Sequence, residues 1–135
     1  MDVKFRGVVK ENGNHFFSGD WVYGSLIEKT AGVFIYVIEE DDLLRECEVE
    51  VIPESIGKKL KSTDKSGGEL FVGDICKIFN ENSKLEDDLR AIEDKGDFFA
   101  LDYSSQPLSV LVEIGCSFEV VGNIFENPDE LLGQD

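Results

Sequence analysis

Cys47-Glu48-Val49-Glu50-Val51-Ile52 decides the fold class. Apolar and acidic residues alternate with a period of two, so one face is apolar and the other carries carboxylates. That is the pattern of a half-buried strand. Upstream, Gly32 to Glu39 is rich in β-branched and aromatic residues and bounded by Gly and the acidic block Glu39-Glu40-Asp41-Asp42, which predicts a second strand. Trp21-Val22-Tyr23-Gly24-Ser25-Leu26-Ile27 predicts a third, with Gly24 marking a bulge or a close backbone approach. Lys4 to Val9 is β-rich, and Glu11-Asn12-Gly13-Asn14 behind it carries an Asn-Gly hairpin signal.

Downstream, Pro53-Glu54-Ser55-Ile56-Gly57 reads as one helical turn ending at Gly57. Asp64-Lys65-Ser66-Gly67-Gly68 is a turn by composition, and Val72-Gly73-Asp74 is a second tight turn feeding a strand from Ile75 to Phe79. Ser83 and Glu86 form a capping box with Leu85, Leu89 and Ile92 on one helical face. Leu89 to Ile92 and Phe98 to Tyr103 instead flank the turn Glu93-Asp94-Lys95-Gly96-Asp97, and a hairpin beginning near Leu89 is the preferred expectation. Leu108 to Ile114 and Ser117 to Val121 read as two strands split by Gly115. Asn127-Pro128-Asp129-Glu130-Leu131-Leu132-Gly133 predicts a short C-terminal helix, with Asn as cap, Pro at the first position and Gly as the stop. Many short strands with Gly-rich turns imply an all-β barrel or sandwich. No repeat and no linker is visible, so a single domain over residues 1–135 is expected.

The charge is lopsided: 29 acidic residues against 13 basic give a net −16. Such a chain repels phosphate backbones, which disfavours direct nucleic-acid binding. Ten Phe, three Tyr and one Trp supply a core and argue against disorder. No apolar run approaches the roughly 20 residues of a membrane span, and Met1-Asp2-Val3-Lys4-Phe5-Arg6 lacks the apolar stretch of a secretion signal. Cys47, Cys76 and Cys116 are odd in number and widely spaced, which fits buried reduced thiols in the cytoplasm rather than disulfides or zinc ligation.

Chemistry-bearing patterns are weak. Gly68-Glu69-Leu70-Phe71-Val72-Gly73-Asp74-Ile75 has the glycine spacing of a phosphate loop, but Asp74 and Ile75 stand where a Lys and a hydroxyl residue are required. The acidic runs at Glu39–Asp42, Glu86-Asp87-Asp88 and Glu93-Asp94 lack the spaced ligands of a calcium loop and read as solvated turns. His15, the only histidine, has Ser18 and Asp20 close in sequence, yet triad members converge from separate elements and no nucleophile elbow is present. No catalytic residue, metal or cofactor is expected. Lys58, Lys59, Lys61 and Lys65 form the one basic patch, read first as a solvated loop and second as a loop suited to an acidic partner or to an acidic face of a second copy.

Three stretches carry a family likeness. The first is Lys4-Phe5-Arg6-Gly7 followed by Trp21-Val22-Tyr23-Gly24-Ser25-Leu26. The second is Val51-Ile52-Pro53-Glu54-Ser55-Ile56-Gly57, continued by Asp64-Lys65-Ser66-Gly67 and Leu70-Phe71-Val72-Gly73-Asp74-Ile75. The third is Phe118-Glu119-Val120-Val121-Gly122-Asn123-Ile124-Phe125-Glu126-Asn127-Pro128-Asp129-Glu130-Leu131-Leu132. In this order they resemble the YopX family of phage and prophage proteins. Lys58-Lys59-Leu60-Lys61-Ser62 departs from the family's usual Gln/Tyr/Thr/Gly-like run, and residues 80–117 match less closely. The resemblance implies a mainly β fold, a small SH3-like barrel with extra hairpins and a short C-terminal helix. It also implies an oligomer encoded by a phage or prophage and acting in the bacterial cytoplasm. It carries over no activity. Gly73 and Gly122 suit turns, and Asn127-Pro128 suits a helix start.

The expected function is therefore non-enzymatic: an accessory protein that self-assembles or binds a host protein, without membrane contact. The alternative is an acidic inhibitor of a host nucleic-acid-binding protein, whose carboxylates imitate DNA phosphates and whose binding falls with salt.

Overall fold

A computed structural model of the chain describes residues 4–11, 16–39, 45–80, 89–102 and 106–127. The chain divides into two compact units, Met1–Lys59 and Leu60–Asp135.

In the first unit, β1 (Phe5–Val8), β2 (Trp21–Lys29), β3 (Gly32–Glu39) and β4 (Arg45–Glu50) precede a single 3₁₀ turn, Pro53–Ser55, and the start of β5 (Gly57–Thr63). Their order is β4-β3-β2-β1-β5, antiparallel at every pairing. The alternation that predicts β4 is realised in its burial. Val49 packs against the core and Val51 is buried, while Glu48 faces out and pairs with Lys29. Val9, Val22, Ile35, Val37 and Val51 form the core of this unit.

The 3₁₀ turn is tied back to β1. Ser55 Oγ accepts the Val8 amide at 2.8 Å and donates to the Ile52 carbonyl at 2.6 Å. Val9 bridges Val51, the Ile52 amide donates to the Val8 carbonyl at 2.9 Å, and the Lys10 amide donates to the Glu50 carbonyl at 3.0 Å. The end of β1 is therefore bonded to the end of β4. Gly24 is a close approach: a Cβ there would stand 2.0 Å from the Tyr36 carbonyl oxygen.

In the second unit the rest of β5 is followed by β6 (Glu69–Phe71), β7 (Asp74–Asn80), β8 (Leu89–Asp94), β9 (Phe99–Leu101), α1 (Leu108–Glu113) and β10 (Cys116–Asn123). The sheet order is β10-β7-β8-β9, again antiparallel. β10 runs the length of β7, from Cys116 opposite Asn80 to Asn123 opposite Asp74, with a bulge between Val120 and Gly122. Its core includes Leu60, Leu70, Cys76, Ile78, Ile92, Leu101, Leu108, Cys116 and Phe118. Asp102 is buried beside it: its carboxylate accepts Arg90 Nε at 2.8 Å and the Ala91 amide at 3.2 Å.

The fold is thus mainly β, as expected. β3 has the expected bounds, and the hairpin from Leu89 forms as β8 and β9. Two expectations need correction. Leu108 to Ile114 is not a strand, because Leu108–Glu113 is helical. Pro107 stands at its cap, Leu108 and Leu111 meet the core three residues apart, and Gly115, at φ 98°, ends it. The lysine stretch is not a loop either, since Lys58, Lys59 and Lys61 stand on β5, which β1 pairs at Lys58 and Gly57. The Asn12-Gly13 turn, the Ser83–Glu86 capping box and the helix expected after Asn127 lie outside the described residues.

Gly24→Ala should clash with the β3 backbone and destabilise the protein by roughly 2–3 kcal/mol. Urea unfolding would read this as a lower midpoint; an unchanged midpoint would contradict the close approach.

Candidate interaction surface

The turn between β5 and β6 is organised by one carboxylate. Asp64 Oδ1 accepts the Ser66 amide at 3.0 Å, the Ser66 hydroxyl at 2.8 Å and the Gly68 amide at 2.8 Å. The Val120 amide of β10 stands near enough to help hold that carboxyl ionised. The next residue completes the attachment, because the Lys65 amide donates to the Phe118 carbonyl at 2.7 Å. Phe118 thereby spends its carbonyl on the turn, along the side of β10 that has no neighbouring strand in its sheet. An exposed edge would otherwise invite pairing with another chain. The Gly68 amide first, then the Ser66 hydroxyl, hold the Asp64 carboxyl below its ordinary 3.8.

The four expected lysines behave differently. Lys58 and Lys59 are half-buried on β5, and the Lys59 amide bonds to the Lys4 carbonyl. Lys65 places its ammonium 4.0 Å from the centre of the Phe79 ring, which Lys77 approaches at 5.8 Å. Lys61 is exposed and lines a cleft.

That cleft, about 260 Å³ and partly open to solvent, lies within the second unit. Leu60, Phe98, Phe99, Pro107 and Leu108 give it apolar walls, and Lys61 and Asp97 line it with charge. Three separate segments contribute: the later part of β5, the β8–β9 turn and the start of α1. Sequence reasoning missed it, since no local pattern reports a convergence of distant segments.

Beyond the cleft, α1 carries exposed apolar side chains in addition to Leu108 and Leu111, which meet the core. Val110, Val112 and the following Ile114 are 37%, 44% and 54% exposed. Val121 and Ile124, toward the end of β10, are exposed too. The run Leu108-Ser109-Val110-Leu111-Val112 held this signal, because it has more apolar residues than one helical face requires.

Other sequence candidates resolve into turn chemistry. In the phosphate-loop look-alike, the buried Asp74 carboxylate accepts the Phe71 amide at 2.8 Å. Asp20 accepts the Phe17 amide, and the Ser18 hydroxyl donates to the Lys10 carbonyl. Asp94 caps Gly96, and Glu93 pairs with Lys95. Cys76 and Cys116 are buried free thiols. Among the described residues no His, Cys, Asp or Glu cluster could hold a metal ion, and no helix is long and apolar enough to cross a membrane. His15, Asp41, Asp42 and the acids at 86–88 lie outside the described residues.

The stretches that carry the family likeness meet in backbone contacts. The Ile124 amide donates to the Gly73 carbonyl at 2.8 Å, and Asn123 Oδ1 accepts the Phe125 and Glu126 amides. A Cβ on Gly122 would stand 2.7 Å from Asn127 Oδ1. A family model described as YopX protein matches residues 4–132, nearly the whole chain. The chain belongs to the YopX family. Neither a curated protein nor a solved structure matches it. The YopX positions named above serve turns and strand junctions, so membership explains the fold of this chain without supplying a reaction.

Asp64→Ala should cost about 0.5–1.5 kcal/mol at neutral pH, because its hydrogen bonds are exposed and water replaces them in part. The folded carboxyl titrates below the unfolded value of 3.8, so the folded state holds fewer protons and Asp64 stabilises fully above that pH. The contribution is lost as the pH falls below it. Thermal unfolding should show the gap between wild type and variant narrowing there; a gap independent of pH would contradict the role of the ionised group.

Proposed function

We propose that this YopX protein is a phage- or prophage-encoded, non-enzymatic interaction module that assembles with itself and engages a host protein in the bacterial cytoplasm. The observation that carries this reading is the set of exposed apolar side chains on α1, Val110 and Val112, with Ile114 just beyond it. Exposed apolar groups gathered on one short element mark protein contact sites. A short apolar helix packed by Leu108 and Leu111 presents them rigidly.

The small SH3-like barrel belongs to the same proposal and is assigned to the first unit. Five short antiparallel strands follow one another, a single 3₁₀ turn precedes the last, and β1 is bonded at its end to β4. Strands that return on the first are what a small barrel requires. Charge mimicry draws less support. Asp20, Asp64, Asp74, Asp94 and Asp102 accept backbone amides, while Glu48, Glu50 and Glu93 pair with lysines. These carboxylates serve the fold before any partner.

Val112→Asp with Ile114→Asp adds charge among the exposed apolar residues of α1 and its C-terminal cap while leaving Leu108 and Leu111 in place. Light scattering behind size exclusion should find a multimer for the wild type and a monomer for the double variant, with the β circular dichroism of both alike. A multimer insensitive to these substitutions would remove α1 from the interface.

A further inference from the structure

We infer that the cleft of the second unit binds a linear peptide of a partner protein through one aromatic or branched apolar side chain flanked by charges of opposite sign. This rests on the reading of the protein as an interaction module and names the chemistry of a partner. Leu60, Phe98, Phe99 and Pro107 offer an apolar floor that one such side chain would cover, removing both surfaces from water.

The charges supply the specificity. In a chain with 29 acids and 13 bases, cations are scarce, and most of those described are engaged. Lys10, Lys29, Arg90 and Lys95 are ion-paired, and Lys4, Lys65 and Lys77 sit over aromatic rings. The Lys61 ammonium has no such partner among the described residues, and neither has the Asp97 carboxylate, although both line the same cleft. Opposite charges left unpaired beside an apolar floor match a ligand that carries an apolar group between a carboxylate and a cation. The carboxylate meets Lys61 and the cation meets Asp97. The cleft is partly open to solvent, so a side chain of a ligand can enter it from outside.

The test is a titration of the isotope-labelled full chain, followed by amide and side-chain chemical shifts, with four blocked tripeptides. These are acetyl-Lys-Phe-Glu-amide, its reverse acetyl-Glu-Phe-Lys-amide, acetyl-Ala-Phe-Ala-amide and acetyl-Lys-Ala-Glu-amide. One of the two charged Phe peptides should move the resonances of Lys61, Asp97, Phe98 and Ser109. It should bind about threefold or more tighter than the uncharged Phe peptide, the scale of exposed ion pairs. The Lys-Ala-Glu peptide should bind more weakly still. In the charge-swapped variant Lys61→Asp with Asp97→Lys, the preference between the two orientations should reverse. Both positions are exposed, and the spectrum itself reports whether the variant folds.

Shifts confined to other surfaces, affinity indifferent to the peptide charges, or no reversal in the swapped variant would overturn the assignment. Cleft resonances that move with protein concentration alone would assign the cleft to a second copy and overturn it equally. If the peptides fail while self-association through α1 persists, only the ligand assignment falls. If both fail, the interaction-module reading falls with it.

Discussion

The Asp74 carboxylate lies 2.8 Å from the Phe71 amide, inside a turn whose Gly73 amide and carbonyl bond to Ile92 and Ile124. Four places in the chain are joined at that point: the end of β6, the start of β7, β8 and the exit from β10. A tight turn leaves amides without ladder partners, and a buried amide without an acceptor costs about 1–3 kcal/mol. The same solution recurs at Asp102 for Ala91, at Asp64 for Gly68, and at Ser55 for Val8. Side-chain oxygens acting as backbone acceptors let many short strands meet at sharp corners. The frame of the second unit, and so the placing of α1 and the cleft, depends on them.

This changes the meaning of the acidity. A net charge of −16 invites a reading in terms of imitated phosphates or bound cations. Several of the carboxylates are instead fixed in turns as acceptors, where Asp is favoured because its short side chain reaches its own backbone. Other acids, such as Glu113 and Glu119, remain exposed and raise solubility. The few bases are mostly spent on carboxylates and rings, which makes Lys61 conspicuous.

The fold was legible wherever one strand carried one kind of periodicity. Gly32 to Glu39 announces β3 by its β-branched and aromatic run, and Gly24 signals the close approach to Tyr36 because no other residue fits there. β5 was hidden, since Lys58-Lys59-Leu60-Lys61 reads as polar and solvated. Long lysine stems nevertheless lie along a strand while Leu60 alone turns into the core. α1 was misread because a short run that is apolar throughout fits a buried strand as well as a helix; the tertiary position of Leu108 and Leu111 decides it. The cleft was illegible on principle, because Lys61, Asp97 and Pro107 are far apart in sequence.

Carboxylates that close turns, exposed apolar residues on α1 and a charge-lined cleft are the features on which the proposed contact role rests. The most direct check is sedimentation velocity of the unmodified chain over a range of concentrations at low and high salt. Association driven by the apolar side of α1 must overcome repulsion between strongly acidic copies, and salt screens that repulsion. A multimer that strengthens as salt rises is the result expected. A chain that stays monomeric at every concentration and salt would contradict self-assembly, and a multimer dissolved by salt would assign it to charge pairs instead of α1.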